Sequence, residues 1–159
     1  MKSAAGNHAG LRAAAVAGVM LWLMAAPLSF ATGDEPTVDE LKARIANASI
    51  ADRPPLCIHV CERQVDMASR FYVAGDSDKA QAALTDVAAF AELARDYAIQ
   101  SHKHEKQCEI AVRKMVRKLT DLEHAVSHED EGTVKSTVER LERVRDDLLA
   151  AMFSKGNKK

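Results

Sequence analysis

The chain has 159 residues, 22 of them basic and 23 acidic, for a formal charge of −1; 47% are hydrophobic and only 4% aromatic. A balance so close to neutral lacks the excess of Lys and Arg that nucleic-acid backbones demand, so no nucleic-acid partner is expected. With few aromatics, a core must come mainly from Ala, Val, Leu and Met, which suits packed helices better than a sheet.

Lys2 and Arg12 precede an unbroken apolar run from Ala13 to Ala26, and Pro27 is followed by the small-x-small pattern Ser29-Phe30-Ala31. Residues 1–31 therefore read as a secretory signal peptide, and the mature chain is expected to begin at Thr32 in a periplasmic or secreted location. The run is shorter than the roughly 20 residues a spanning helix needs, and no second such run follows, so no membrane span is expected in the mature form. Cleavage leaves 20 basic and 23 acidic residues in 128, the size of one domain with a modest core, placed at 32–154. The only Trp, Trp22, leaves with the signal.

Thr37-Val38-Asp39-Glu40 has the form of a capping box and opens a short helix to about Ser49. Asp52-Arg53-Pro54-Pro55 resets the chain. A second helix then starts at Pro54 or Pro55 and runs to about Ala74, with Cys57, Val60, Cys61, Val65, Ala68, Phe71 and Tyr72 on one stripe. Gly75-Asp76-Ser77 ends it and caps the next.

From Asp76 to Glu131 there is neither Gly nor Pro. Leu84, Val87, Ala91, Ala94, Ala98, Ser101, Glu105, Cys108, Val112, Met115, Leu119, Leu122 and Val126 alternate three and four residues apart without a slip. An unbroken register argues for one helix of about 50 residues, near 75 Å long at 1.5 Å per residue. The competing reading breaks it near Ser101, inside the polar stretch Gln100 to Glu109. His128 to Thr133 read as a turn, Thr133 to Phe153 as a final helix, and 155–159 as a disordered basic tail. The expected fold is thus all-α, antiparallel helical hairpins around one long central helix, with a compact four-helix bundle as the alternative.

Ala68, Phe71, Gly75, Ala80, Leu84 and Val87 fall at the spacing of the small and aromatic residues of a tetratricopeptide repeat, and this segment resembles part of one. It spans about 20 of the 34 residues a repeat needs and lacks the closing proline. The resemblance implies a close-packed antiparallel helix pair, not a peptide-binding array. The chain as a whole is similar to small exported all-helical proteins of unassigned activity, a likeness that implies a fold and no function.

Cys57 and Cys61, His104 and Cys108, and His124 and His128 each lie four apart, the spacing at which a helix can offer two ligands to one ion. Cys57 and Cys61 also fit the apolar stripe as core residues, and His124 and His128 fit exposed positions near a helix end. Helix count decides whether the cysteines meet. On one continuous helix Cys108 lies about 21 Å beyond the level of Cys57, too far for a disulfide. A break near Ser101 returns it to that level and permits a disulfide or a zinc or copper site on Cys57, Cys61, His104 and Cys108. The mature chain shows no Cys-x-x-Cys-His, no Glu-x-x-His and no Gly-rich phosphate loop, so no catalytic role is expected. The basic run Arg113, Lys114, Arg117 and Lys118 reads as a solvated face paired with Glu109 and Asp121.

The function these features favour is an exported non-catalytic helical module acting through a protein partner or self-association and needing no cofactor. The motive is an apolar seam left poorly covered near Ala98 to Cys108. A periplasmic Cys/His metal-binding bundle is the alternative.

Overall fold

The computed structural model describes residues 35–156; the expected signal peptide and the last three residues of the basic tail lie outside them. The described residues form five α-helices: α1 (Val38–Asn47), α2 (Arg53–Val73), α3 (Ser77–Ser101), α4 (Glu105–Glu123) and α5 (His128–Gly156). The chain is an all-α helical bundle, and among the described residues no helix is long and apolar enough to cross a membrane.

Local chemistry explains the starts. At α1 the Glu40 N–H donates to Thr37 Oγ1 at 3.2 Å while the Thr37 N–H donates to Glu40 Oε2 at 3.0 Å, the reciprocal capping box. Pro54 and Pro55 sit in the first turn of α2, where a missing N–H costs nothing. Asp76 caps α3 through the Lys79 N–H. Gly75, between α2 and α3, has φ of +76°, which strains any residue with a Cβ.

The expected long helix is two helices. α3 ends at Ser101 and α4 starts at Glu105, with His102 and His104 both left-handed, at φ of 55° and 65°. Ser101 Oγ donates back to the Tyr97 carbonyl at 2.6 Å, in the last turn of α3. The physical reason lies in residues 100–107, eight positions without an apolar side chain. A straight helix would bury nothing there, whereas folding back lets α4 and α5 close over α2 and α3. The seam nevertheless faces inward in both halves, from Leu84 to Ala98 and from Cys108 to Leu119, because both helices point at one core.

Cross-helix contacts fix the arrangement. α2 and α3 form one antiparallel hairpin, tied by Arg53 to Tyr97 and by Cys61 to Val87; α4 and α5 form the second. α4 runs parallel to α2, with Lys118 paired to Asp66. α5 runs parallel to α3, with Asp130 near Ser77, Arg140 paired to Glu92, and Asp147 to Arg95. The core lies between the hairpins. Six buried alanines of α3 (Ala80, Ala83, Ala88, Ala91, Ala94 and Ala98) let its neighbours approach closely, and α1 lies along α2.

The last helix also differs from expectation. α5 begins at His128, not Thr133, so the segment read as a turn is helical. Ser127 explains this: its carbonyl accepts the Asp130 and Glu131 N–H groups, and its hydroxyl donates to Asp130 Oδ2 at 2.8 Å. The acidic first turn, Glu129 to Glu131, suits the positive end of the helix dipole. At its far end α5 continues to Gly156, two residues into the expected tail.

The two glycines should therefore respond oppositely to alanine. Gly75→Ala is expected to cost about 1 kcal/mol, because its left-handed backbone penalises a Cβ. Gly132→Ala should gain roughly 0.5–1 kcal/mol, because a mid-helix Cβ raises helix propensity and this one meets nothing within 4 Å. Thermal denaturation of both variants checks this. A destabilised Gly132→Ala would mean that the turn, not the helix, is correct.

Candidate functional site

The break at residues 102–104 has a chemical consequence: it sets Cys108 of α4 beside Cys57 and Cys61 of α2. All three cysteines are free, with exposures of 1%, 0% and 0% respectively. They are close enough that a charge on Cys108 would disfavour charge on both Cys57 and Cys61. Cys61 Sγ donates to the Val87 carbonyl at 3.4 Å. No disulfide is formed among them.

Burial governs their acidity. Desolvation pushes the Cys57 thiol up to about 12, with Cys108 adding to the rise and Arg53 opposing it. Cys108 is pushed up to about 11, again by burial first and then by the neighbouring Glu105. Cys61 is raised well above the ordinary thiol value, chiefly by burial. These are protonated, unreactive thiols at neutral pH.

His104 occupies the N-cap position of α4 without a capping side-chain bond, half-buried, and its Nδ1 shares a 2.6 Å hydrogen bond with Gln107 Oε1. It lines a cavity of about 120 Å³ with His59, Glu62 and Gln107, at whose wall Cys108 lies. Among the described residues no three His, Cys, Asp or Glu side chains already stand where they could hold one ion together. Of the four residues expected to share a site, Cys57, Cys61 and Cys108 are buried in one core, and His104 lines a cavity together with Cys108. His124 and His128 are exposed, and His128 Nδ1 lies 3.1 Å from Glu131 Oε2.

A second feature joins the same helices. The groove between α2 and α4 encloses about 380 Å³, with the buried Val65 and Met115 among its lining residues. Its charged or titratable lining is His59, Glu62, Arg63 and Asp66 from α2 and Lys114 and Lys118 from α4, with Arg63 paired to Glu35. Within the expected basic run, Arg113 does pair with Glu109, at 3.5 Å, but Lys118 reaches across the groove to Asp66.

Sequence reading missed His59 and Glu62, which line both spaces. Their signal was present: the two face solvent between and just after Cys57 and Cys61, on the helix edge nearest α4. Asp130 was missed as well. It is buried and accepts from Ser77 Oγ and Ser127 Oγ, both at 2.8 Å, and from Gln81 Nε2 at 3.3 Å, which together hold its carboxyl below the usual range.

These features define an all-α bundle of two stacked hairpins with a three-thiol core and a charged groove between its parallel helices. The chain matches no protein-family model, no curated protein and no solved structure.

Proposed function

We propose that this is an exported, non-catalytic module that acts by self-association through its α2–α4 face. Export is supported by the pattern of residues 1–31 alone. The original motive for self-association, an uncovered seam near Ala98 to Cys108, does not survive: Ala98 is fully buried and Cys108 is 1% exposed within the single chain. The reading rests instead on the segregation of charge across the groove. Glu62 and Asp66 place acidic groups on the α2 side, where Arg63 is already paired with Glu35, while Lys114 and Lys118 place basic groups on the α4 side. A two-fold axis running along the helices lays each α2 over the partner's α4, so that each acidic side meets a basic one. Such a face is complementary to itself, as an isologous interface must be.

Light scattering coupled to size exclusion tests this. Wild type is expected to show a dimer that weakens with salt, as surface charge pairs do. Lys114→Glu with Lys118→Glu should weaken it roughly 10- to 100-fold, the effect of turning several pairs worth about 0.2–1 kcal/mol each from attraction to repulsion. Mixing that variant with Glu62→Lys, Asp66→Lys should restore a heterodimer. A strict monomer at all micromolar concentrations would rule the reading out.

A further inference from the structure

We propose that one end of the bundle docks on an anionic phospholipid surface, with Phe153 and Ile50 entering the headgroup layer and Lys103 and Lys106 facing the phosphates. The proposal does not rest on self-association: it uses the end of the bundle and not its α2–α4 side.

Cross-helix ties put these residues together. Arg53, which opens α2, donates from Nη1 to the Tyr97 hydroxyl near the close of α3 at 3.4 Å, and its guanidinium lies 5.1 Å from the ring centroid. Residues 102–104 then join α3 to α4, and Asp147 of α5 pairs with Arg95 of α3 at 2.8 Å. Because α5 runs parallel to α3, Phe153 stands level with Ser101, each lying the same distance along its helix beyond that pair. The α1–α2 link with Ile50, the α3–α4 link and the last turns of α5 therefore share one end.

That end is apolar and basic. Phe153 is 74% exposed and Ile50 42%. Lys103 and Lys106 are exposed as well, and among the described residues neither pairs with a carboxylate. Lys155, Lys158 and Lys159 follow Phe153 in the sequence. The acidic groups here are Asp52, which accepts from Ser49 Oγ at 2.6 Å, and Glu105, which is buried. The opposite end is acidic. Ser77 Oγ donates to Asp130 Oδ2 at 2.8 Å and so holds the starts of α3 and α5 together there. Around them Asp78, Asp121 and Glu129 are exposed, while Lys79 is paired with Asp76. A chain that is nearly neutral overall thus carries opposite charge at its two ends, and an anionic surface attracts one and repels the other.

Two partners suit a basic end: anionic lipid, or the acidic end of a second copy. Size separates them. Four helices each about 10 Å across present an end of roughly 400 Å². Stacking two such ends buries about 800 Å² in total, short of the roughly 1,200 Å² of a stable interface. It would also set Phe153 against carboxylates. A lipid surface needs no matched area and accepts an aromatic anchor at headgroup level beside lysines that meet phosphates. One apolar anchor alone holds a protein only marginally, and a second, electrostatic signal makes the attachment stable. This end supplies both.

Flotation of the mature chain, residues 32–159, with vesicles of equal phosphatidylglycerol and phosphatidylcholine, against phosphatidylcholine alone, tests the proposal. The anionic vesicles should carry the protein at low salt and release it as salt rises, and the neutral ones should not carry it. Lys103→Gln with Lys106→Gln should weaken partitioning roughly 30-fold, the effect of two lysines lost from an anionic surface. Phe153→Ser should weaken it roughly 10-fold, through lost apolar burial. Orientation has its own readout. Residues 32–159 contain no Trp, so Phe153→Trp and Val73→Trp, the latter at a position 90% exposed at the acidic end, each report one end by fluorescence. Phe153→Trp emission should shift to the blue on anionic vesicles and Val73→Trp emission should not. Equal flotation on both kinds of vesicle, partitioning indifferent to the two lysines, or a blue shift at both ends would each overturn the proposal. A blue shift of Phe153→Trp in concentrated protein without vesicles would show the end stacking on a second copy, and would overturn it too.

Discussion

Replacing Leu84 with alanine is expected to lower the free energy of unfolding by about 3 kcal/mol, within the 2–5 kcal/mol span of such truncations. Leu84 is fully buried in α3, and apart from Val87 its buried neighbours along that helix are small: Ala80, Ala83, Ala88 and Ala91. Alanines cannot swing into a vacated space. The cavity left by Leu84 therefore stays partly open, which keeps the cost above the bottom of the range. Against the 5–15 kcal/mol of a typical domain, that is a large fraction of total stability. Urea denaturation checks it: the midpoint should fall with the slope unchanged. Leu93→Ala, at a position 37% exposed on the same helix, should cost much less. Equal losses at the two sites would mean that α3 does not face the core as described.

The second large effect is alkaline. An ordinary thiol titrates near 9, whereas burial holds Cys57 up to about 12, Cys108 up to about 11, and Cys61 well above its ordinary value. As pH rises through 9, the unfolded chain gives up these protons while the folded chain keeps them. Unfolding is thereby favoured, so the stability these thiols contribute is complete below pH 9 and is lost progressively toward 11 to 12. Each thiol gives a slope of up to about 1.36 kcal/mol per pH unit, and three together reach roughly 4 kcal/mol per unit. The comparison to make is reduced wild type against the variant with all three cysteines replaced by alanine. Lysines and tyrosines titrate in both, and the difference isolates the thiols. Matching profiles from pH 8 to 11 would show that the sulfurs are not buried as a group.

Much of this fold is legible in the sequence because it is written in local chemistry and in period. The capping box at Thr37 and Glu40, the prolines opening α2 and the glycine at position 75 each state their geometry within a few residues. The inward faces are nearly as legible: of the residues whose spacing turns them inward on α5, Val134, Val138, Leu141, Val144 and Leu148 are buried and Met152 is part-exposed. The break at Ser101 is legible only as the alternative that the polar stretch Gln100 to Glu109 offers. Periodicity reports which side chains face a core and is silent on whether the chain reverses between them, and here both α3 and α4 face the same one. The two left-handed residues are histidines, not glycines, so the usual marker of a helix end is absent. At His128 the error runs the other way. Gly132 looks like a turn, yet Ser127 and three acidic residues outweigh it.

The candidate site inherits that asymmetry. The sequence names Cys57, Cys61 and Cys108, but only the reversal of the chain brings them together, and the same reversal leaves His104 at the edge. The spacing of His59 and Glu62 beside the two cysteines is in the sequence, and its meaning as a cavity wall follows once α4 is known to run beside α2.

The claim on which the rest depends is that the chain turns back at His102 to His104. Spin labels at Met67 of α2 and Arg117 of α4, both exposed, in a background with the three native cysteines replaced by alanine, measure it directly by dipolar spectroscopy. Adjacent helices lie about 10 Å apart, and Lys118 pairs with Asp66, so the distribution should sit at the short end of the accessible range. A helix continuing unbroken through position 102 would instead carry residue 117 about 50 Å from the level of residue 67, and a distance of that order would contradict both the bundle and the three-thiol core.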